Sequence, residues 1–237
     1  MATELHFRKD AYSKSIEARV VAVEEKGIVL DRTVFYASSG GQPGDTGHLV
    51  CANGSIIPIS TAVFLDPAKT VVAHTVAPGA GSVEVGETLV AHIDFGPRYN
   101  RMRMHTALHL LSVVLPFPVT GGAVGDVDSR LDFDIPEGGL DKEDITARLN
   151  AMIALDAVVS DRIITEAELD ANPGLVKTMS VQPPRGTGHI RLVEIAGLDL
   201  QPCGGTHVRQ TSEIGRIIVT QVEKKGKQNR RVRIAFA

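Results

Sequence analysis

The first 95 residues are cut into short pieces by turn signals. Asn53-Gly54, Asp66-Pro67, Pro78-Gly79 and the stretch Glu84 to Gly86 each interrupt apolar segments, and such pairs are where a chain reverses direction. Pieces this short leave no room for a long helix. Between the turns, Ile16 to Val23 and Gly27-Ile-Val-Leu30 are rich in β-branched residues, which suit a pleated, half-buried surface. No segment here has helical periodicity, so the region predicts a small β-barrel or sandwich. Phe35-Tyr-Ala-Ser-Ser-Gly-Gly-Gln-Pro-Gly-Asp-Thr-Gly47 has too many glycines for a strand and predicts an ordered loop.

After Gly96-Pro97 the pattern changes. Met102, Leu108, Leu111 and Leu115 lie at helix-compatible spacing, predicting a helix from Arg98 to Leu115 that Pro116 ends. Leu131 to Ile135 alternates apolar and charged residues, as a half-buried strand does. Asp141 is placed to cap a helical stretch running to Val158. Ile190 to Ile195, Ile214 to Val222 and Arg231 to Phe236 predict further strands. Strands mixed with a few helices, without regular β-α-β alternation, predict an α+β domain with a mostly antiparallel sheet. The expected division is therefore a β-barrel domain over residues 1–95 and an α+β domain over 96–237.

Composition narrows the partners. No apolar run reaches the ~20 residues of a membrane span, and Met1 to Asp10 lacks the apolar core of a secretory signal. Cys51 and Cys203 are the two cysteines, too few for a disulfide framework, which predicts reduced thiols and a cytoplasmic location. The net charge of −3 gives no global pull toward nucleic acid. Charge is unevenly spread, however: Lys224 to Arg233 carries six cations and no anion, and Arg98, Arg101 and Arg103 form a second cluster. Such patches can grip phosphates even on a mildly acidic protein.

The chemistry concentrates in two segments. His105-Thr-Ala-Leu-His109 sits on the expected helix, where residues i and i+4 share a face, so both imidazoles can reach one point. Gln201-Pro-Cys-Gly-Gly-Thr-His207 offers a thiol and an imidazole around a glycine pair that permits a tight turn. A histidine pair alone is more often structural, and a lone Cys-x-x-x-His is more often a buried thiol near a surface histidine. Together they make a mixed nitrogen and sulfur set suited to Zn2+. A zincin protease is excluded, because Thr106 and not Glu follows the first histidine. A closed four-ligand site would be structural; one with an open position would acidify a bound water, the one catalytic group assignable at this stage.

At these residues the chain resembles the editing domain of alanyl-tRNA synthetase and its free-standing relatives, the AlaX proteins. Arg103-Met-His-Thr-Ala-Leu-His-Leu-Leu111 matches the family's H-x-x-x-H helix, and Gln201 to Val208 its C-x-x-x-H segment. Arg130-Leu-Asp-Phe-Asp134 resembles the strand between them. Phe35 to Gly47 resembles the glycine-rich motif of the longer AlaX forms, with Ala37, Ser38 and Ser39 in place of Pro, Thr and the first Gly. The resemblance covers nearly the whole chain.

It implies an ATP-independent trans-editing deacylase, hydrolysing the ester that joins serine or glycine to alanine tRNA. It carries over His105, His109, Cys203 and His207 as zinc ligands, on a barrel joined to an editing domain, with the glycine-rich loop facing the zinc pocket. Thr106, Gln42, Asp45, Gly40 and Gly41 become candidates for substrate contact. Arg98, Arg101, Arg103, Lys224, Lys225, Lys227, Arg230 and Arg231 become candidates for holding the tRNA acceptor stem. The alternative is a non-catalytic tRNA-binding module with a structural zinc. Oligomeric state is not legible.

Overall fold

A computed structural model describes residues 2–136, 139–179 and 188–237. The chain divides into two compact units, Met1–Tyr99 and Asn100–Ala237. In the first, β1 (Glu4–Leu5), β2 (Ser15–Glu24), β3 (Gly27–Leu30), β4 (Arg32–Thr33), β5 (Gly47–Cys51), β6 (Ile56–Phe64), β7 (Val72–Val76) and β8 (Thr88–Ile93) follow one another, with one short 3-10 turn at His6–Arg8. Six of them close into a barrel in the order β2-β3-β7-β6-β5-β8, while β1 pairs in parallel with β4. Closure leaves no unpaired strand edge among these six, the feature that otherwise invites association.

The barrel is filled by residues that alternate inward along the strands. Val20, Leu30, Leu49, Ile57, Ala62, Val72, Leu89 and Ala91 form its core, joined by Val34 and Phe35. Register breaks between Val20 and Ala22 and between Ile59 and Thr61 supply the extra residues that bend strands around a small barrel.

His74, Asp45 and Arg98 are among the polar side chains buried inside this unit. His74 is fully enclosed; its Nδ1–H donates to the Ile28 carbonyl at 2.9 Å and its Nε2 accepts from Thr33 Oγ1 at 2.7 Å. Burial holds its pKa down at about 4, against a smaller opposing pull from the Ile28 hydrogen bond. Arg98 and Asp45 form an ion pair with side chains 0% and 1% exposed. The Arg98 guanidinium also donates to the carbonyls of Ala11 and Val34 at 2.9 and 2.6 Å, and Asp45 accepts from the Tyr36 N–H at 2.7 Å. Arg98 thus ties three separate stretches of the unit together. This corrects its expected role as a surface phosphate grip: no face of it reaches solvent.

The second unit holds most of α1 (Phe95–Val114), then β9 (Val119–Ala123), β10 (Asp128–Asp134), α2 (Lys142–Ile153), β11 (Val159–Thr165), α3 (Glu166–Ala171), β12 (His189–Ile195), β13 (Asp199–Pro202), β14 (Ile217–Lys224) and β15 (Asn229–Phe236). Two antiparallel sheets run β14-β15-β10-β9 and β11-β12-β13. The molecule is thus strand-rich α+β with few helices.

Helix α1 begins earlier than its apolar spacing predicts, and Pro97 lies within its first turn, where the missing N–H would have had no intrahelical partner. Helix α2 ends at Ile153, short of the expected Val158, because Val159 already pairs with Ile195 in β11. Asp141 caps α2 as its sequence position predicts, accepting from the N–H groups of Glu143 and Asp144. α2 lies against the edge strand β14. Asn150 Nδ2 donates to the Ile217 carbonyl at 2.7 Å and its Oδ1 accepts the Ile217 N–H at 3.0 Å, while Thr146 Oγ1 accepts from the Val219 N–H at 3.0 Å. No helix among the described residues is long and apolar enough to cross a membrane.

Candidate metal centre

His105 and His109 project from the middle of α1, which is buried on nearly all sides from Met102 to Ser112. Cys203 and His207 lie on the loop that leaves β13. The four ligand atoms all lie within 4.8 Å of one another. Cys203 Sγ is 3.5 Å from His105 Nε2 and 3.3 Å from His207 Nε2. The rings of His105 and His207 are 4.4 Å apart, those of His109 and His207 4.6 Å. A tetrahedral zinc with bonds of about 2.0–2.3 Å spaces its ligand atoms roughly 3.3–3.8 Å apart. The two sulfur distances fall in that range, and a set of three imidazoles and one thiol is the donor chemistry zinc takes.

Neighbouring groups fix how His109, His207 and the Cys203 loop are presented. His109 Nδ1–H donates to Asp199 Oδ2 at 3.0 Å, which assigns its Nε2 to the cluster. Thr106 Oγ1–H donates to the Met102 carbonyl at 2.9 Å, so its oxygen accepts from His207 Nδ1–H at 3.1 Å and from the Val208 N–H at 3.3 Å. His207 Nε2 is thereby turned toward Cys203. Pinning the outer ring nitrogen is how a metal-binding histidine keeps its tautomer. Arg191 on β12 holds the loop itself, donating from one nitrogen to the carbonyls of Cys203 and Gly205 at 3.0 Å each. The Gly205 N–H points at Cys203 Sγ from 3.4 Å.

The electrostatics of the four side chains follow from this packing. Burial alone would raise the Cys203 pKa, but the imidazoles of His105 and His207 hold the thiol well below its ordinary value. Burial and then His105 push His207 down to about 3. Burial also pulls His109 down, yet the Asp199 carboxylate and Cys203 outweigh it and lift His109 to about 9. Asp199 sits at about 2, with burial raising it and His109, Lys177 and Gln201 lowering it. The Cys203 thiolate suits a cation as it stands, whereas His109, raised to about 9, would have to release its ring proton for its Nε2 to bind one.

The other expected contacts are distributed as follows. Thr106 is fully buried and its hydroxyl is engaged by the Met102 carbonyl, His207 and the Val208 N–H, so it supports a candidate donor and does not face an open space. Asp45 is engaged by Arg98 and Tyr36, so it stabilises the loop instead of facing outward. Gly40 and Gly41 form the centre of a two-residue turn closed by hydrogen bonds between Ser39 and Gln42; their φ values of +58° and +81° are the left-handed pair that a type I′ turn requires. Both are exposed, while Gln42 is buried.

Among the cations, Arg231 makes a two-pronged pair with Asp132 at 2.7 and 2.9 Å, and Arg103 donates to the Ile214 carbonyl while stacking 4.0 Å over Phe236. Lys225 pairs with Glu223 at 2.6 Å. Lys224 and Lys227 are exposed at the β14–β15 hairpin, with Arg230 and Arg101 half-buried. Asp199, Lys177, Ser112 and Arg191 escape the sequence reading altogether. The one hint was alternation: Asp199 and Gln201 lie two apart on β13 and both face inward, just ahead of Cys203.

The sequence has counterparts among tRNA synthetases and alanyl-tRNA editing proteins. Residues 190–233 match the second additional domain of threonyl and alanyl tRNA synthetases, and residues 3–96 match class II (A) tRNA synthetases. Alanyl-tRNA editing protein AlaX-M of Methanosarcina mazei is 34% identical over 97% of this chain and 95% of its own length. Its counterpart from Saccharolobus solfataricus is 33% identical over 97% of both chains. Alanine–tRNA ligase of Pyrobaculum aerophilum is 36% identical over 92% of this chain, which spans 25% of the ligase. The chain belongs to the AlaX family of free-standing alanyl-tRNA editing proteins.

Proposed function

We propose that the protein is a trans-editing hydrolase that removes a wrongly attached amino acid, serine or glycine, from alanine tRNA. Water adds at the acyl carbon, the ester bond to the terminal ribose breaks, and free amino acid and free tRNA are released. The observation that carries the reading is the set His105, His109, Cys203 and His207, four buried or half-buried donors within 4.8 Å in a chain of this family. Zinc held there would supply Lewis acidity toward the ester. The protein's own groups hold the donors in place: Asp199 presents His109, Thr106 presents His207, and Arg191 fixes the loop.

Editing answers a physical problem. An apolar pocket rejects a side chain that differs by one small group by only ~1–3 kcal/mol, so a second, hydrolytic site is needed. Gly40, Gly41 and Gln42 stay candidates for selecting the amino acid. Lys224 and Lys227, exposed at the β14–β15 hairpin, are the better candidates for tRNA phosphates, since Arg98 is buried and Arg103, Arg231, Lys225 and Arg230 make contacts within the chain; Arg101, half-buried, stays a candidate.

The deciding experiment is deacylation of Ser-tRNA(Ala), Gly-tRNA(Ala) and Ala-tRNA(Ala), with and without a chelator. Release of serine or glycine with sparing of alanine, abolished by the chelator, is expected; equal hydrolysis of all three defeats the reading. Four donors are also what a closed, structural zinc uses, which favours a second reading as a tRNA-binding module without turnover. A His105→Ala variant separates the two: folded and inactive supports the enzyme, whereas unfolding with no measurable wild-type turnover supports the module.

A further inference from the structure

We propose that Asp199 and Lys177 form a positioning pair that fixes His109 for the metal. The inference rests on the metal-centre reading above. Both carboxylate oxygens of Asp199 are committed. Oδ2 accepts from His109 Nδ1–H at 3.0 Å and from Gln201 Nε2 at 2.7 Å, and Oδ1 accepts from Lys177 Nζ. The Asp199 side chain is fully buried and the Lys177 side chain about a quarter exposed.

A carboxylate enclosed this way is costly without a counter-charge, and Lys177 is the amine that meets it. Lys177 is not a loose surface side chain. Its carbonyl accepts from the Val119 N–H at 2.9 Å, and the Met179 N–H returns to the Val119 carbonyl at 2.8 Å, so its backbone is pinned to the first residue of β9. Its ammonium also reaches Ser112 Oγ at 3.4 Å; that hydroxyl donates to the His109 carbonyl at 2.7 Å, one turn along α1. His109 is thus held at its ring and at its backbone by one network. Lys177 and Ser112 line an open cleft of about 560 Å³, flanked by Phe117 and Val176, so the lysine end of the network faces outward while Asp199 stays enclosed.

A group that orients a metal-binding histidine typically changes metal affinity by 10- to 100-fold when removed. The test uses the full chain, stripped of metal and titrated with Co2+ against a competing chelator, with the thiolate-to-cobalt absorption as readout. Asp199→Asn and Lys177→Ala are each expected to weaken Co2+ binding at least tenfold, and Lys177→Arg to restore it. Lys177→Ala added to Asp199→Asn should cost little more, because the lysine acts through the carboxylate. Wild-type affinity in both single variants overturns the proposal and leaves the metal centre standing. Absence of any cobalt–thiolate band in the wild type defeats the metal centre itself, and the proposal with it. Urea unfolding of the metal-free forms identifies a merely structural role: if the affinity loss vanishes once the folded fraction is counted, the proposal is wrong. Should Asp199→Asn fail to fold, Lys177→Ala and Lys177→Met carry the same test.

Discussion

At the scale of single residues, the chain places several ionisable groups where water cannot serve them, and each placement has a consequence. His74 is neutral in the barrel because burial holds its pKa at about 4, against 6.5 when free. Between those two values the unfolded chain binds the extra proton and the folded one does not. Stability is therefore full above pH 6.5 and falls as the pH drops toward 4, by about 3 kcal/mol at about 1.4 kcal/mol per tenfold. Denaturant unfolding of wild type and His74→Gln at pH 7.5, 5.5 and 4 checks this: the wild type should lose more over the range, and parallel losses would show that His74 is not the cause. Arg98 and Asp45 illustrate the opposite strategy, a charge pair kept in the interior by mutual contact. Removing one partner of such a pair strands the other, at a cost of about 3–5 kcal/mol. Sequence reading took Arg98 for a phosphate grip, because charged residues usually face water, and Asp45 for a substrate contact; only the fold brings them together across 53 positions.

At the scale of elements, α2 holds its position through side chains that satisfy the backbone of β14. Asn150 behaves toward Ile217 as a neighbouring strand would, giving and taking one hydrogen bond each, and so covers part of the edge of β14. Asn150→Ala leaves the buried Ile217 N–H and C=O without that partner, and about 1–3 kcal/mol of stability should be lost in chemical denaturation. An unchanged midpoint would show that water or a shift of the strand replaces the contact. The Asp141 cap was legible in the sequence because capping is local. The end of α2 was not, since Val159 is drawn into pairing with Ile195, a partner 36 positions away. The same holds for β9 and β13, whose few residues carry little pattern of their own.

For the whole molecule, charge distribution matters more than total charge. The net charge is −3, yet Lys224 and Lys227 stand exposed at the tip of one hairpin. If this hairpin meets tRNA phosphates, the logarithm of affinity should fall linearly with the logarithm of salt concentration. Replacing both lysines with glutamine should lower that slope by about 2, measured by filter binding or fluorescence anisotropy. A slope identical to wild type would place the contact elsewhere.

The amino-acid order alone determined what depends on near neighbours: turn dipeptides that enforce short strands, two histidines on one helical face, and a thiol and imidazole bracketing two glycines. Only the tertiary structure decided what depends on distant partners. It seated Cys203 beside His105 across 98 positions, gave His109 its carboxylate across 90, and turned Thr106 from a candidate substrate contact into the support of His207 across 101. Local geometry is written in spacing, because helix and strand periods are fixed. A contact between remote segments exists only once packing has closed the loop between them.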